Sequence, residues 1–107
     1  MALTLTRVAD QQDYWGSHFV DVFTAQPGTS DYSAGGYNIT AASVGMRLIL
    51  AVEVIGQQLA AGGNLTTMYL WALNPNTGNL QFFTAYNTEN SGNLVTYTFT
   101  LRVIGQR

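Results

Sequence analysis

Apolar and polar side chains alternate along much of this chain with a period of two. In the segment 94–104, LVTYTFTLRVI, every second residue from Val95 to Val103 is apolar, and the residues between them are threonines and Arg102. Successive side chains of a β-strand point to opposite faces, so this pattern predicts a strand with one buried face and one face in water. The segment 47–55, RLILAVEVI, alternates in the same way and groups four apolar side chains on one face: Leu48, Leu50, Val52 and Val54.

Three earlier segments are also predicted to be strands, and only the stretch before residue 47 favours a helix. The strands are LTLTRV at 3–8, HFVDVFT at 18–24 and the short GYNI at 36–39. In TAASVGM, Thr40 is a suitable N-cap for one helical turn, which Gly45 ends. Residues 9–17 and 25–36 are predicted to be loops, and the second of these is rich in glycine and serine and contains Pro27.

A β-hairpin is predicted around the turn NPNTG at 74–78, because proline presets φ and glycine tolerates a left-handed conformation. Both faces of its strands, TMYLWAL and NLQFFTAY, are largely apolar, and no residue from Val54 to Thr88 is charged. We expect its outer face to carry three aromatic residues: Tyr69, Trp71 and Phe83. A sandwich strand normally has one dry and one wet face, so the second apolar face must also be covered. Either residues 57–65 of the same chain fold over it or a partner chain binds it, and both can hold.

The strand count predicts the fold class. About seven strands in 107 residues indicate one all-β domain over residues 1–107, a compact β-sandwich of jelly-roll-like type with at most one short helical turn. Residues 1–8 would form an N-terminal strand or an arm. The tetrapeptide VIGQ ends an alternating strand twice, at 54–57 and at 103–106, which indicates a shared strand ending rather than a repeat architecture.

The composition excludes several classes of function. Charged residues make up 9% of the chain, against a usual ~25%. The net charge is -2 and lysine is absent, so nucleic acid is not an expected partner. Cysteine is absent too, which excludes disulfides and thiolate metal sites. The N-terminus has no signal-peptide core and no apolar run is long enough for a bilayer, so we expect synthesis in a cytoplasm and no membrane partner.

Catalysis is not predicted, because the residues that it needs are few and scattered. His18 is the only histidine, and in a regular strand it cannot face Ser17, which argues against a triad with Asp21. A glycosidase pair needs two converging carboxylates; Asp21 and Glu53 both lie on predicted strands, so a pairing is possible, but nothing in the sequence supports it. The acidic residues are Asp10, Asp13, Asp21, Asp31, Glu53 and Glu89.

Motifs for metal binding and modification are equally weak. Asp10 and Asp13 could offer oxygens to calcium, but the spacing of a calcium loop is missing. The triplets NIT at 38–40 and NLT at 64–66 match the glycosylation pattern, which means little without secretion. We therefore predict no enzyme activity, no cofactor and no metal.

Three aromatic residues fall in predicted loops: Tyr14 and Trp15 in DYWG, and Tyr32 in SDYSAGG. Exposed aromatic side chains anchor protein interfaces and also stack on sugars, although each of these can equally pack on its own sandwich edge. With the hairpin aromatics, they complete the predicted partner-binding set: Tyr14, Trp15, Tyr32, Tyr69, Trp71 and Phe83.

The order of these segments resembles that of the capsid decoration (cement) proteins of tailed bacteriophages, which are encoded beside the major capsid protein. In that family a Gly-Gly segment precedes a phrase such as Leu-Thr-Pro-Ala-Asp-Leu-Gly-Leu, then an apolar strand, a hairpin with a polar turn, and a final strand with a Gly-Arg-type ending. Here the glycines at 35–36 precede YNITAASVGM, and the chain ends in VIGQR. The matching residues are Thr40, Ala42, Val44 and Gly45. Ala41 stands in place of the proline and Ser43 in place of the aspartate, and the hairpin lacks the usual charges.

This resemblance covers roughly residues 18–107 and implies a structural virion protein. Such a protein is a compact β-sandwich that binds the outer capsid surface, bridges neighbouring capsomers and commonly forms a homotrimer. The implied partners are the major capsid protein and sister copies, with no catalytic residues to carry over. Sister copies and shell would cover much of the surface, so little charge would be needed for solubility.

Two other classes of function stay open. A carbohydrate-binding β-sandwich module would use Tyr14, Trp15 and Tyr32 as a coplanar platform lining a cleft. A small hydrolase on a jelly roll would need two buried carboxylates in one pocket.

Overall fold

The computed structural model describes residues 3–28, 32, 35–63, 65, 68–74, 77–86, 88–90 and 94–107. Within these residues the chain forms nine strands and one 3-10 turn at Ala42–Val44. The strands are β1 Leu3–Arg7, β2 Asp13–Trp15, β3 His18–Pro27, β4 Tyr37–Asn38, β5 Leu48–Leu59, β6 Leu70–Asn74, β7 Asn79–Ala85, β8 Thr88–Glu89 and β9 Tyr97–Gln106. None of the described helical residues belongs to a helix long and apolar enough to cross a membrane.

The strands form two antiparallel sheets that pack on a common core, which confirms the predicted all-β sandwich. The first sheet has the order β1-β3-β9-β5, and β2 pairs with the same edge of β3 as β1 does. The second sheet has the order β4-β7-β6, and β8 shares one edge of β7 with β4. β5 and β6 are therefore end strands of their sheets, and they contact each other. We call the line along which they meet the β5–β6 seam.

Aromatic side chains join the two sheets. β9 alternates between buried and partly exposed residues along its whole length, as the sequence predicts. Phe99 of β9 stacks on Phe82 of β7 with ring centroids 4.4 Å apart, and Tyr97 stacks on Phe99 at 5.8 Å. Because Phe82 and Phe99 belong to different sheets and are both fully buried, this stack is the centre of the sandwich.

β5 does not alternate as predicted, because two bulges interrupt its pairing with β9. The register shifts between Ile49 and Ala51 and again between Val54 and Gly56, so Leu50 and Ile55 are the extra residues. Both are about half exposed, at 47% and 48%. The expected single apolar face of this segment is therefore wrong: Val52 is buried, whereas Leu48 is exposed.

The hairpin forms as predicted, but the two faces of its first strand are the reverse of the expected ones. Trp71 lies opposite Phe82 in the β6–β7 pairing, and residues directly opposite each other share a face. Phe82 is fully buried, so Trp71 and Tyr69 belong to the core side, and only Phe83 lies on the outer side with Leu70. Because both faces are apolar, alternation alone does not tell which one points inward.

The connecting segments contain more structure than predicted. Residues 9–17 are not all loop, since β2 pairs with the start of β3 across a turn at Gly16, where φ is 65°. β3 itself continues to Pro27, inside the second predicted loop. The turn after β4 begins one residue later than predicted, because Ala41 rather than Thr40 is its N-cap. The Ser43 amide still donates to the Thr40 hydroxyl at 3.2 Å, and Gly45 ends the turn with a φ of 69°.

Candidate interaction surface

The exposed apolar side chains concentrate along the β5–β6 seam. Nine large apolar residues are exposed in the described part of the chain, and six of these lie on β5, on β6 or just before β6. The six are Leu48, Leu50, Ile55, Met68, Leu70 and Trp71. Contiguous exposed apolar area of this kind usually marks a binding surface. We call the apolar surface of the seam and of the outer hairpin face the neutral surface.

Grooves follow the neutral surface over most of its length. One of about 350 Å³ lies between Val54–Gln57 of β5 and Met68–Trp71. A second, of about 260 Å³, crosses the outer hairpin face between Leu70–Ala72 and Phe83, Ala85 and Tyr86. Both grooves include Leu70 and Trp71, so they form one continuous surface. A smaller cavity of about 130 Å³ continues the seam at its other end, where Leu50 faces Leu73.

The side chain of Gln57 bridges the two sheets at the seam. Its amide nitrogen donates to the Tyr69 carbonyl at 2.7 Å, and its amide oxygen accepts from the Tyr69 amide at 3.0 Å. The carboxamide thus reproduces the pair of hydrogen bonds that a neighbouring strand would make. Tyr69 itself is half-buried, and its ring meets the ring of Tyr97 edge-on, with ring centroids 5.1 Å apart. Burial is the main reason why the pKa of Tyr69 is raised.

The charged residues are concentrated on the first sheet. In the described part of the chain, every charged residue except Glu89 lies on a strand of that sheet, next to one, or, for Asp10, in the connection between β1 and β2. Arg102 donates to Glu53 on the outer face of that sheet at 2.7 Å. Arg7 donates to the buried Asp21 at the same distance. The neutral surface therefore presents apolar groups and backbone amides to a partner, without charge.

Tyr14 and Trp15 are exposed, as predicted, although they lie on β2 rather than in a loop. Their exposed fractions are 57% and 48%. As neighbours on one strand they point to opposite sides: the Tyr14 ring packs against Phe19 at 5.1 Å, whereas Arg102 lies over the Trp15 ring at 5.2 Å. They do not form a common flat platform.

Tyr32 is buried, which corrects the prediction of an exposed loop residue. It is 5% exposed and meets Tyr37 edge-on, with ring centroids 5.4 Å apart. Its hydroxyl donates to the Glu89 carboxylate at 2.6 Å and accepts from the Phe82 amide at 3.0 Å. Glu89 also accepts from the Gly35 amide at 2.9 Å. Burial, followed by the bond to Glu89, raises the pKa of Tyr32 far above its usual value.

The catalytic candidates are kept apart by the strands that carry them. His18 lies opposite Trp15, and Asp21 lies three residues further along β3, on the other face. Asp21 is fully buried and bonded to Arg7, whereas Glu53 is bonded to Arg102 on the outer face, so these two carboxylates do not converge.

The structure gives no support to the candidate metal and glycosylation sites in the described residues. No group of three or more histidine, aspartate or glutamate residues that could hold a metal ion occurs in the described ranges. The Asn38 side chain donates to the Thr77 carbonyl and to Asn79. Asp31 and the triplet at 64–66 lie wholly or partly outside the described residues.

In the described part of the segment 57–65, the expected cover of the outer hairpin face is not found. Leu59 and Leu65 pack against the core instead, and Leu70 on the outer hairpin face is 54% exposed. The predicted aromatic set does not contain Met68 and Leu70, which are exposed because of their position in the alternation and not because of their residue type. The bulge residues Leu50 and Ile55 were missed as well, since nothing in the alternation of β5 shows where a bulge falls.

Comparisons of this chain with models of protein families, with curated proteins and with solved structures found no match.

Proposed function

We propose that this chain is a structural protein that works by binding other protein surfaces, and specifically that it is a capsid decoration protein of a tailed bacteriophage. The neutral surface supports binding to protein, because it is continuous, apolar and uncharged. The resemblance in the order of segments supports the phage capsid as the partner and the outer capsid surface as the location.

The exposed side chains offer enough energy for a stable contact. Ile55, Met68 and Leu70 are each about half exposed or more, and burying the rest of them would contribute on the order of 3 kcal/mol. A standard interface takes ~800 Å² from each partner, about one eighth of this chain's 6138 Å². Repetition over many copies on a lattice multiplies contacts of this strength.

The separation of charged and neutral sides indicates an orientation on the shell. The first sheet carries the ion pair of Arg102 with Glu53 and a row of threonines on its outer face, which suits contact with water. The neutral surface suits contact with the shell and with sister copies, which the resemblance implies as a homotrimer. A cement protein placed in this way would add buried area across capsomer boundaries.

The carbohydrate-binding alternative has less support. It needs Tyr14, Trp15 and Tyr32 as a coplanar platform, but Tyr32 is buried and the other two side chains point to opposite sides. Trp15 alone is an exposed ring on the outer face of the first sheet.

The test is to express the chain with candidate major capsid proteins and to count the copies that stay on purified heads. Leu70→Glu places a charge in the neutral surface and is expected to lower the occupancy at least about tenfold, because an unpaired charge is costly to bury. Thr98→Glu is the matched control, since it places the same charge on the outer face of the first sheet. Circular dichroism establishes that both variants are folded.

Two outcomes would contradict the proposal. If Leu70→Glu is folded and fills the heads as well as the wild-type chain does, the neutral surface is not the shell contact. If heads with and without the wild-type chain release their contents at the same temperature, the chain does not cement them.

A further inference from the structure

Among the described strands, β6 is the one sheet edge without protection against pairing with another chain. Natural proteins protect edge strands by making them very short, by bulges or by charged residues. β4 and β8 have two residues each, β5 has two bulges, and the edge formed by β1 and β2 carries Arg7 and Asp13. β6 has five residues, no charge and no shift in its register with β7.

The hydrogen bonds of β7 determine which backbone groups of β6 face outward. The Phe82 amide donates to the Tyr32 hydroxyl, and the Phe82 carbonyl accepts from the Asn90 amide, so both groups point away from β6. Trp71 lies opposite Phe82 and is therefore in a pair without hydrogen bonds. Its own amide and carbonyl must point to the free edge of the sheet.

The neighbours of Trp71 follow the same alternation. Tyr69, two residues earlier, directs its amide and carbonyl to the side chain of Gln57. Leu73, two residues later, directs its own pair to the free edge. Within the described ranges, the backbone groups of Trp71 and Leu73 have no hydrogen-bond partner on that edge.

We propose that β6 is a self-pairing edge. The β6 strands of two copies pair antiparallel about a two-fold axis at Ala72, and the amide and carbonyl of Trp71 in one copy bond to those of Leu73 in the other. This inference deepens the proposed function and rests on it only for the role of the neutral surface, because it names a second copy of the chain as one partner of that surface. Its two-fold contact is distinct from the three-fold contact that the resemblance implies.

The flanking residues select this register. With Ala72 opposite Ala72, the next hydrogen-bonded pair would place Tyr69 opposite residue 75. Tyr69 already bonds to Gln57, and residue 75 is a proline without an amide hydrogen. Pairing therefore extends over Trp71–Leu73 and stops at both ends.

A second copy fits this edge better than a charged partner segment does. Both sides of a self-pairing contact are uncharged, so no repulsion opposes it. An axis at Ala72 also brings the exposed seam residues beside β6, among them Ile55 and Met68, towards those of the other copy. The contact is isologous, so each copy contributes the same residues.

A single cysteine tests the register directly, because the chain has none of its own. Opposite residues in a pair without hydrogen bonds have Cα atoms ~4.5 Å apart, within the ~4.4–6.8 Å span of a disulfide. Ala72→Cys is therefore expected to form a covalent dimer under mild oxidation. The dimer should form on the order of tenfold or more faster than with Ala9→Cys, at an exposed alanine between β1 and β2 and outside the neutral surface.

Charge exchange gives an independent readout by sedimentation velocity. The wild-type chain is expected to form dimers at micromolar concentration, Ala72→Lys and Ala72→Glu to be monomers when separate, and their equimolar mixture to form dimers again. Ala9→Lys, at an exposed alanine between β1 and β2 and outside the neutral surface, is the control and should associate as the wild-type chain does.

Each of the following results would overturn the proposal: a wild-type monomer at every concentration, a trimer without a dimer, a mixture that stays monomeric, or equal crosslinking at residues 72 and 9. A wild-type monomer whose β6 amides are protected only when capsid protein is added would assign the edge to the shell instead. All the self-association measurements are made without capsid protein, so a failure to bind heads and a failure to dimerise are separate results.

Discussion

Two buried tyrosines that pack against Phe82 of the second sheet differ in the hydrogen bonding of their hydroxyl groups, so removing these groups should have opposite effects on stability. Tyr32 and Tyr37 meet edge-on and are 5% and 3% exposed. The Tyr32 hydroxyl is bonded to Glu89 and to the Phe82 amide. The Tyr37 hydroxyl is the one buried side-chain polar group, among the described residues, without a hydrogen-bond partner.

The magnitudes follow from these contacts. Tyr32→Phe loses a charge-assisted hydrogen bond worth ~1.5–3 kcal/mol and leaves the buried Phe82 amide unpaired. We expect the free energy of unfolding to fall by about 2–4 kcal/mol, a large part of the ~5–15 kcal/mol of a domain. Tyr37→Phe removes an unpaired polar group and keeps the ring, so its effect should lie between zero and about 1 kcal/mol of stabilisation.

Urea unfolding at neutral pH, followed by circular dichroism, measures both values against the wild-type chain. The two variants are matched controls for each other, because each replaces the same hydroxyl in the same aromatic cluster. A loss of stability in Tyr37→Phe as large as that in Tyr32→Phe would refute the reasoning, since it would mean that the Tyr37 hydroxyl has a partner. So would an unchanged midpoint in Tyr32→Phe.

The same pair predicts how stability changes at alkaline pH. Burial raises the pKa of Tyr37 from 10.0 to about 12. The folded state therefore keeps a proton that the unfolded state loses above pH 10, and stability falls as the pH rises from 10 towards 12. Each pH unit in this range removes about 1.4 kcal/mol per such tyrosine. Tyr37→Phe should make this decline shallower. Below pH 9 the substitution should not change how stability depends on pH, because Tyr37 is protonated there in both the folded and the unfolded state.

Three further substitutions test the packing of β5 against its neighbours. Gln57→Ala removes both hydrogen bonds to Tyr69 and should cost about 1–3 kcal/mol, with faster hydrogen exchange at the Tyr69 amide as the specific readout; an unchanged exchange rate would contradict the bridge between the sheets. Gly105→Ala should cost at least about 3 kcal/mol in urea unfolding, because the new Cβ would collide with the Leu48 carbonyl. Gly56→Ala, in the other copy of VIGQ, meets only the side chain of Thr100 at 3.4 Å and should cost less than about 1 kcal/mol; equal costs would contradict the difference in packing.

The alternation of apolar and polar residues was sufficient to predict the main strands of the sheets. It was not sufficient to predict which face of every strand points to the core. β9 follows it at each residue from Tyr97 to Gln106, because one face meets the core and the other meets water. β5 departs from it at Leu50 and Ile55, because a bulge is set by the pairing with β9 and leaves no mark in the apolar pattern.

The candidate site was predictable as a segment but not as a set of residues. The absence of charge from Val54 to Thr88 correctly located an exposed apolar surface. The choice of Tyr69 and Trp71 for its outer face was wrong, because the inward face is decided by partners on the other sheet, such as Phe99, that lie far away in sequence. Tyr32 was misplaced for the same reason: its position depends on Glu89, 57 residues further along the chain.

The separation of charge within the fold determines what kind of association this chain can make. Apart from Glu89, whose carboxylate is bonded to Tyr32 and Gly35, the charged groups of the described residues lie on or beside the first sheet. With a net charge of -2, repulsion between copies is small, and salt screens it beyond ~8–10 Å. Contacts through the neutral surface therefore meet little electrostatic opposition and gain little electrostatic steering. Their strength must come from apolar area and from the backbone groups of β6, and their specificity from shape and register, which suits a protein whose partners stay in place once bound.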